Sequence, residues 1–340
     1  MTIYFVIILT AGILGYIYDK IDKDARAVMN ALFTLYFTLV IGLRDKVGVD
    51  WFAYVRMYNR FNADPWRYDT HELLYKLVNI LGFQSHIGFG FVIFVTSAIF
   101  IMSIIKGAET AKINPYYFFA LSGGYIFVMA GVNYIRQGVA LAVMTIAFAH
   151  LLNGDKIKFC IFTLLAGLFH TSALFLIVLI IANVNLSLLI ISTLLLIVII
   201  PYLPLERYQQ YFTSDMENGG LLLRICYLLV PATFLLLKIL RRDILSPIIK
   251  RLSIICVGAP WALLIIGMAS STIADRLSYY FISLITMLVM TVSTQKQSNT
   301  NNTILIIMMF TSLTAMTIWI EKSKYIKHYI YNGYLFEWLT

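Results

Sequence analysis

The chain has 340 residues, of which 60% are hydrophobic and only 13% are charged, and its formal net charge is +9. A soluble globular domain carries about 25% charged residues, so this composition excludes a soluble protein and predicts one polytopic membrane domain over residues 1–340. The basic residues lie in breaks between apolar segments rather than along one stripe, which argues against nucleic acid as a partner.

The first apolar segment, 3–18, is predicted to be a membrane span rather than a cleaved signal peptide. No lysine or arginine precedes it, and no small-residue cleavage pattern follows it. Lys20, Lys23 and Arg26 come directly after it. Because basic residues favour the cytoplasmic side, this pattern places the loop 19–27 in the cytoplasm and the N-terminus outside.

Apolar segments follow one another along the rest of the chain. A membrane-spanning helix needs about 20 apolar residues. The predicted spans are 3–18, 28–43, 87–105, 115–132, 137–152, 156–169, 171–184, 187–203, 221–240, 252–270, 277–293 and 304–320. The sequence therefore predicts an all-α integral membrane protein with about twelve transmembrane helices.

The segment 156–184 has two interpretations. As one helix, it would place Arg241, Arg242, Lys250 and Arg251 in a short outside loop, against the positive-inside bias. As two short helices broken at His170, it places that cluster inside. We adopt the broken pair, because short, broken helices are tolerated where they line a protein-enclosed cavity and often mark binding sites in transporters.

Two loops are then predicted outside, a long one at 44–86 and a shorter one at 204–220. In the first, Asp50 is placed to cap a helix that continues to about residue 59. Residues 71–83 form an amphipathic helix, which we expect to lie on the outer membrane surface. The aromatic residues of the loop form either an interfacial belt or a surface that stacks on sugar rings: Trp51, Phe52, Tyr54, Tyr58, Trp66 and Tyr68.

The unusual polar residues gather at the predicted outer face, where they are functional candidates by default. They are Arg44, Asp50, Glu72, Arg136, His170 and Arg276. Arg136, His170 and Arg276 each stand directly before a predicted helix that runs inward. Helix N-termini favour anions, and arginine forms two-point contacts with phosphate. This combination predicts a site for a phosphate or diphosphate.

Several motifs occur in one order along most of the chain. They are residues 42–44 with 47–50 and Tyr54; 72–75; 134–140; 169–174; and, more weakly, 275–280 and the tyrosine-rich tail 325–334. With these motifs the chain resembles the EpsG/Wzy group of bacterial polysaccharide polymerases. It departs from the pattern at Thr171, where that group has proline.

The resemblance implies a reaction on the outer face of the bacterial plasma membrane. A growing glycan would pass from undecaprenyl diphosphate to a sugar hydroxyl of another lipid-linked oligosaccharide repeat unit. It implies a fold related to GT-C glycosyltransferases and a chain-length regulator as a partner. Besides the arginines, the implied substrate contacts are Tyr54, Glu72, Gln137 and Tyr280. The alternatives are an O-antigen ligase, an acyltransferase of the same envelope pathways, and a lipid-linked oligosaccharide flippase.

The chemistry requires a general base and a group that stabilises the leaving diphosphate. Arginines and helix N-termini can do the second task, so we expect no metal and no cofactor. Among the candidates for the base, histidine has the side-chain pKa nearest neutrality. We predict His170 as the base, with Asp50 as the second choice and Glu72 as a further candidate.

Overall fold

The computed structural model of the chain describes residues 2–64, 72–183, 220–243, 245–295 and 299–333. Most of the residues in these ranges are helical and none lies in a β-strand, which confirms the predicted all-α class. The α-helices are, in chain order, α1 (Thr2–Tyr18), α2 (Lys23–Gly42), α3 (Trp51–Ala63), α4 (Leu73–Gln84), α5 (Phe89–Thr110), α6 (Pro115–Gly123), α7 (Ile135–Leu152), α8 (Lys156–Phe169), α9 (Leu221–Leu240), α10 (Pro247–Ala269), α11 (Ser271–Gln295) and α12 (Asn299–Lys322).

Other helical forms continue some of these α-helices. A π-helix, Gly124–Asn133, follows α6, and 3₁₀ helices cover Thr171–Asn183 and Ile326–Tyr329. The predicted helix 171–184 is therefore present, but in the narrower 3₁₀ form. Because a 3₁₀ helix rises about 2.0 Å per residue, this segment reaches about 26 Å, compared with about 20 Å for an α-helix of the same length.

Seven of the described helices are long and apolar enough to cross a membrane, namely α2, α5, α7, α9, α10, α11 and α12. The pair formed by α6 and the π-helix adds an eighth candidate, although it is bent by 83°. The helix α1 and the segment Thr171–Ile180 are apolar but shorter. The chain is therefore a multi-pass membrane protein.

Eleven of the twelve predicted spans lie in the described ranges, and each coincides with a helical segment. The remaining one, 187–203, lies outside the described residues, as does nearly all of the predicted loop 204–220. The total of about twelve spans stays a prediction, as does a relationship to the GT-C fold.

The chain breaks at His170, as predicted, and the two short helices on either side pack against each other. Gly167 in α8 lies so near Leu174 that an added Cβ would come within 2.3 Å of it. At the far end of the 3₁₀ helix, the carbonyl oxygen of Ala182 accepts a hydrogen bond from Nη1 of Arg251 at 3.2 Å. The basic cluster that contains Arg251 therefore lies at the end of the bundle opposite His170, as the broken-pair interpretation requires.

The helix α7 lies at the centre of the bundle, with nearly all of its residues buried. Its first turn crosses the π-helix closely. A Cβ at Gly138 would lie 1.9 Å from the carbonyl oxygen of Ala130, so only glycine fits there. This crossing places the beginning of α7 beside Asn133, at the end of the bundle that contains His170.

The predicted helices of the 44–86 segment are α3 and α4. Asp50 occupies the N-cap position of α3, but its side chain makes no capping hydrogen bond, so the expected cap is absent. In α4, Leu73, Leu77 and Leu81 are exposed, whereas the opposite side is buried against the protein. This distribution is typical of a helix whose apolar side faces lipid at the membrane surface. Residues 65–71, which include Trp66 and Tyr68, lie outside the described part of the chain.

Candidate functional site

The carboxylate of Glu72 lies between a histidine and an arginine. Its Oε1 atom is 2.5 Å from Nδ1 of His170, and its Oε2 atom forms a salt bridge with Nη1 of Arg136. Glu72 is 6% exposed and His170 is 7% exposed. These residues come from the start of α4, the first turn of α7 and the break after α8. The structure thus joins three residues that belong to separate sequence motifs.

The backbone at the break positions His170 and connects it to α11. His170 has an extended conformation, with φ −156° and ψ 120°, and ends α8 with its N–H bonded to the carbonyl oxygen of Ala166. The Oγ atom of Ser172 lies 3.0 Å from the hydroxyl oxygen of Tyr280. This hydrogen bond connects the 3₁₀ helix with α11 and places Tyr280, a predicted substrate contact, beside the break.

Glu72 determines where the proton of His170 resides. Burial would raise the pKa of Glu72, but the hydrogen bond from His170 and the positive charge of Arg136 outweigh it and lower this pKa to about 2. An ionised carboxylate only accepts hydrogen bonds, so the contact of Oε1 with Nδ1 favours a proton on that nitrogen of His170. In the neutral imidazole the lone pair is then on Nε2, which is buried and has no hydrogen-bond partner among the described residues.

Asp50 lies within electrostatic reach of two of the three predicted site arginines. Burial raises the pKa of its carboxyl group, and the positive charges of Arg276 and Arg136 partly oppose this rise. Its side chain binds Asn133 at the end of the π-helix. The predicted second candidate for the base is therefore close to the cationic part of the site.

The positive charge of the site comes from α7 and α11. Arg136 is the second residue of α7, inside the first turn rather than before the helix as predicted, and its guanidinium carbon is 5.8 Å from the ring centre of Tyr54. Arg276 lies inside α11, because this helix begins at Ser271, so the predicted helix start after Arg276 is wrong. Nε2 of Gln137 donates to the carbonyl oxygen of Arg276 at 3.0 Å, which joins the two helices.

Arg44 is bound by backbone carbonyl oxygens rather than by a carboxylate of this cluster. It is 2% exposed, and its guanidinium donates to the carbonyl oxygens of Ile41 at 2.6 Å and Val132 at 2.9 Å. These bonds hold the end of α2 against the π-helix. The placement favours a positioning role for Arg44 over the predicted contact with a diphosphate.

Arg224 is a buried charged residue that the sequence motifs do not include. Its Nη1 atom is 2.5 Å from Oδ1 of Asp275, and its Nη2 atom donates to the hydroxyl of Tyr279 at 2.6 Å. These contacts join α9 to α11 one residue before Arg276. The signal in the sequence is a charge within the apolar segment 221–240, whose other charged residue, Lys238, lies near its end. A charge among apolar residues implies a buried partner.

The segment after α12 holds the turn that precedes Asp50. Gly48, with φ +108°, donates its N–H to the carbonyl oxygen of His328 at 2.7 Å. An isolated antiparallel bridge pairs Arg44 with Gly333. The tyrosine-rich tail therefore holds the segment 44–48 that leads to Asp50. Its last residue, Tyr334, lies outside the described residues.

In the described part of the chain, no group of three or more His, Cys, Asp or Glu side chains is arranged to hold a metal ion.

Comparisons with known proteins agree with the motifs. No curated protein and no solved structure gives a significant match. A family model described as the EpsG family matches residues 27–332, nearly the whole chain. The chain therefore belongs to the EpsG family, which indicates a membrane protein similar to polysaccharide polymerases.

Proposed function

We propose that the protein is a polysaccharide polymerase of the bacterial plasma membrane, with its active site facing outward. It transfers a growing glycan from undecaprenyl diphosphate to a sugar hydroxyl of another lipid-linked repeat unit. The observation that carries this proposal is the buried contact that Glu72 makes with both Arg136 and His170. Arg276 lies within electrostatic reach of the same imidazole.

In the proposed reaction, the arginines stabilise the leaving group. The bond between the anomeric carbon and the diphosphate oxygen breaks, and negative charge develops on that oxygen. Arg136 and Arg276 face this charge, and the first N–H groups of α7 add the positive end of a helix dipole. This arrangement supports transfer without a metal ion, which remains part of the proposal.

His170 is the proposed general base. As the acceptor hydroxyl oxygen bonds to the anomeric carbon, its proton moves to Nε2 of His170, the imidazole atom that has no hydrogen-bond partner among the described residues. Asp50 is the second candidate because it is partly exposed and close to both arginines. The aromatic ring of Tyr54 and the hydroxyl of Tyr280 are proposed to contact the sugars or the diphosphate.

The alternatives differ in what the same site would do. A ligase or another envelope transferase would use the same leaving group but transfer the glycan once, to a different acceptor. A flippase would need charged residues reachable from both ends of the bundle, whereas Glu72, Arg136, His170 and Arg276 gather at one end of the described structure. The one-sided grouping supports a transferase.

The decisive experiment incubates purified protein with purified lipid-linked repeat units and separates the products by size. A ladder spaced by one repeat unit is expected, and His170→Gln should remove most of the rate at which it forms. His328→Gln is the matched control and should keep the ladder, because it changes an exposed side chain and leaves in place the backbone carbonyl that accepts from Gly48. Transfer without a ladder would favour a ligase. Movement of the lipid across liposomes without any transfer would favour a flippase.

A further inference from the structure

We infer that Glu72 is a positioning residue that fixes the orientation and tautomer of His170 and so presents Nε2 to the acceptor hydroxyl. The inference rests on the proposed function and assigns to Glu72 a task other than substrate contact or proton abstraction. Its two oxygen atoms bind different partners, Oε1 at His170 and Oε2 at Arg136. A carboxylate held at both oxygens cannot turn toward a substrate.

The backbone around Glu72 keeps this carboxylate in place. Glu72 directly precedes α4, and its carbonyl oxygen accepts the N–H of Lys76 at 3.0 Å in the first turn of that helix. The buried side of α4 packs against the protein through Tyr75 and Val78. The orientation of the imidazole is therefore set by a rigid helix rather than by the break at which His170 itself lies.

The same contact compensates the charge that forms during proton transfer. Among the described residues, the charged groups that face the imidazole are Glu72, Arg136 and Arg276. When Nε2 takes the proton of the acceptor hydroxyl, the imidazole becomes positive beside two guanidinium groups. The carboxylate of Glu72, 2.5 Å from Nδ1, offsets this repulsion while the proton on Nδ1 stays where it is.

Glu72→Gln tests the inference sharply, because it keeps the shape and removes the charge. The amide oxygen can accept from Arg136, which leaves the amide nitrogen to donate to Nδ1 and moves the imidazole proton to Nε2. We expect kcat to fall about 100-fold with KM almost unchanged. Glu109→Gln is the matched control, since Glu109 accepts a hydrogen bond from Asn30 in a pair away from the site and its loss should not change turnover.

A double variant separates positioning from a merely structural role. If Glu72 acts through His170, Glu72→Gln should cost nothing further in a His170→Gln background. An equal loss of kcat in both backgrounds would overturn the inference, as would unchanged kcat in Glu72→Gln.

The tautomer of His170 can also be determined by NMR, without an activity assay. In protein labelled with ¹⁵N-histidine, the signals lost in His170→Gln identify His170, and the proton should be on Nδ1 in the unmodified protein and on Nε2 in Glu72→Gln. A proton on Nε2 in the unmodified protein would overturn the inference even if Glu72→Gln fails to fold. A protein with the expected tautomer that makes no polymer would instead refute the proposed function alone.

Discussion

Asp50 and Asn133 hold each other at two points. The backbone N–H of Asp50 donates to Oδ1 of Asn133 at 3.1 Å, and Nδ2 of Asn133 donates to Oδ2 of Asp50 at 3.3 Å. This pair fixes the turn before α3 to the end of the π-helix. It also keeps the carboxylate of Asp50 partly buried beside the site, where ionisation is costly.

Asp50→Asn should therefore raise the thermal stability near neutral pH. Burial raises the pKa of Asp50 in the folded protein above its ordinary value of 3.8, so ionisation destabilises the fold increasingly as pH rises from that value through the folded pKa. Asparagine keeps the acceptor for Asn133 without the charge. We expect Tm to increase by about 2 °C near pH 7 and the difference to vanish near pH 3.5. A lower Tm of the variant near pH 7 would contradict this explanation.

Arg136 and Arg276 should each be required for turnover. Charge-assisted hydrogen bonds contribute about 1.5–3 kcal/mol, so Arg→Ala at either position should lower kcat/KM at least tenfold. Arg→Lys should restore little, because an ammonium group cannot make the two-point contact of a guanidinium. Arg56→Lys, an exposed arginine on α3, is the matched control. Full activity in the double variant Arg136→Lys with Arg276→Lys would refute the assignment.

Substitution of Arg44 should lower the stability of the protein more than its turnover. Arg44→Met leaves the carbonyl oxygens of Ile41 and Val132 without this donor, at a cost of about 1–3 kcal/mol for each buried group. We expect a lower Tm and a lower yield of inserted protein, with kcat per folded molecule changed less than in Arg136→Ala. Measuring Tm and kcat for both variants decides between positioning and substrate contact. A stable but inactive Arg44→Met protein would instead assign Arg44 to the diphosphate site.

The predicted orientation can be tested by thiol labelling in a variant without the three native cysteines. Exposed side chains at the two ends of the bundle are suitable positions for the label. Arg60→Cys and Lys324→Cys should react with an impermeant reagent added outside the cell. Lys158→Cys and Lys250→Cys, at the opposite end of the bundle, should react only after the membrane is opened. The reverse pattern would place the site on the cytoplasmic side.

The pH dependence should identify the base. His170 accepts a proton only when it is neutral, so the rate of the unmodified protein should fall as pH falls through the pKa of His170. Glu72, with a pKa of about 2, stays ionised over that range and does not cause the decline. His170→Gln should lose this acidic limb together with most of the rate, whereas Asp50→Asn should keep it. Near-normal turnover in His170→Gln with an inactive Asp50→Asn would make Asp50 the base.

Metal independence can be measured in the same assay. The proposed leaving-group stabilisation comes from Arg136 and Arg276, so the rate of polymerisation should be unchanged by EDTA. A loss of activity in EDTA that Mg²⁺ restores would show that the arginines alone are insufficient.

The class of the protein and most of its helical segments follow from the order of residues alone. A segment that crosses a bilayer must be apolar over its whole length, because lipid offers no partners for polar groups, and such length is visible in consecutive residues. The break at His170 also follows, since one uninterrupted helix would put the basic residues near Arg251 on the unfavoured side. Glu72, Arg136 and His170 are recognisable because polar residues are costly near lipid.

Which of these residues meet is decided only in three dimensions. Glu72 and His170 are 98 positions apart, and their contact depends on how α4, α7 and α8 pack. The same packing buries Arg44 against carbonyl oxygens. It also pairs Asp275 with Arg224, and this salt bridge allows α11 to begin before Arg276. Hydropathy measures the cost of burying a charge but does not indicate its partner, because the partner is set by helix crossings and side-chain directions.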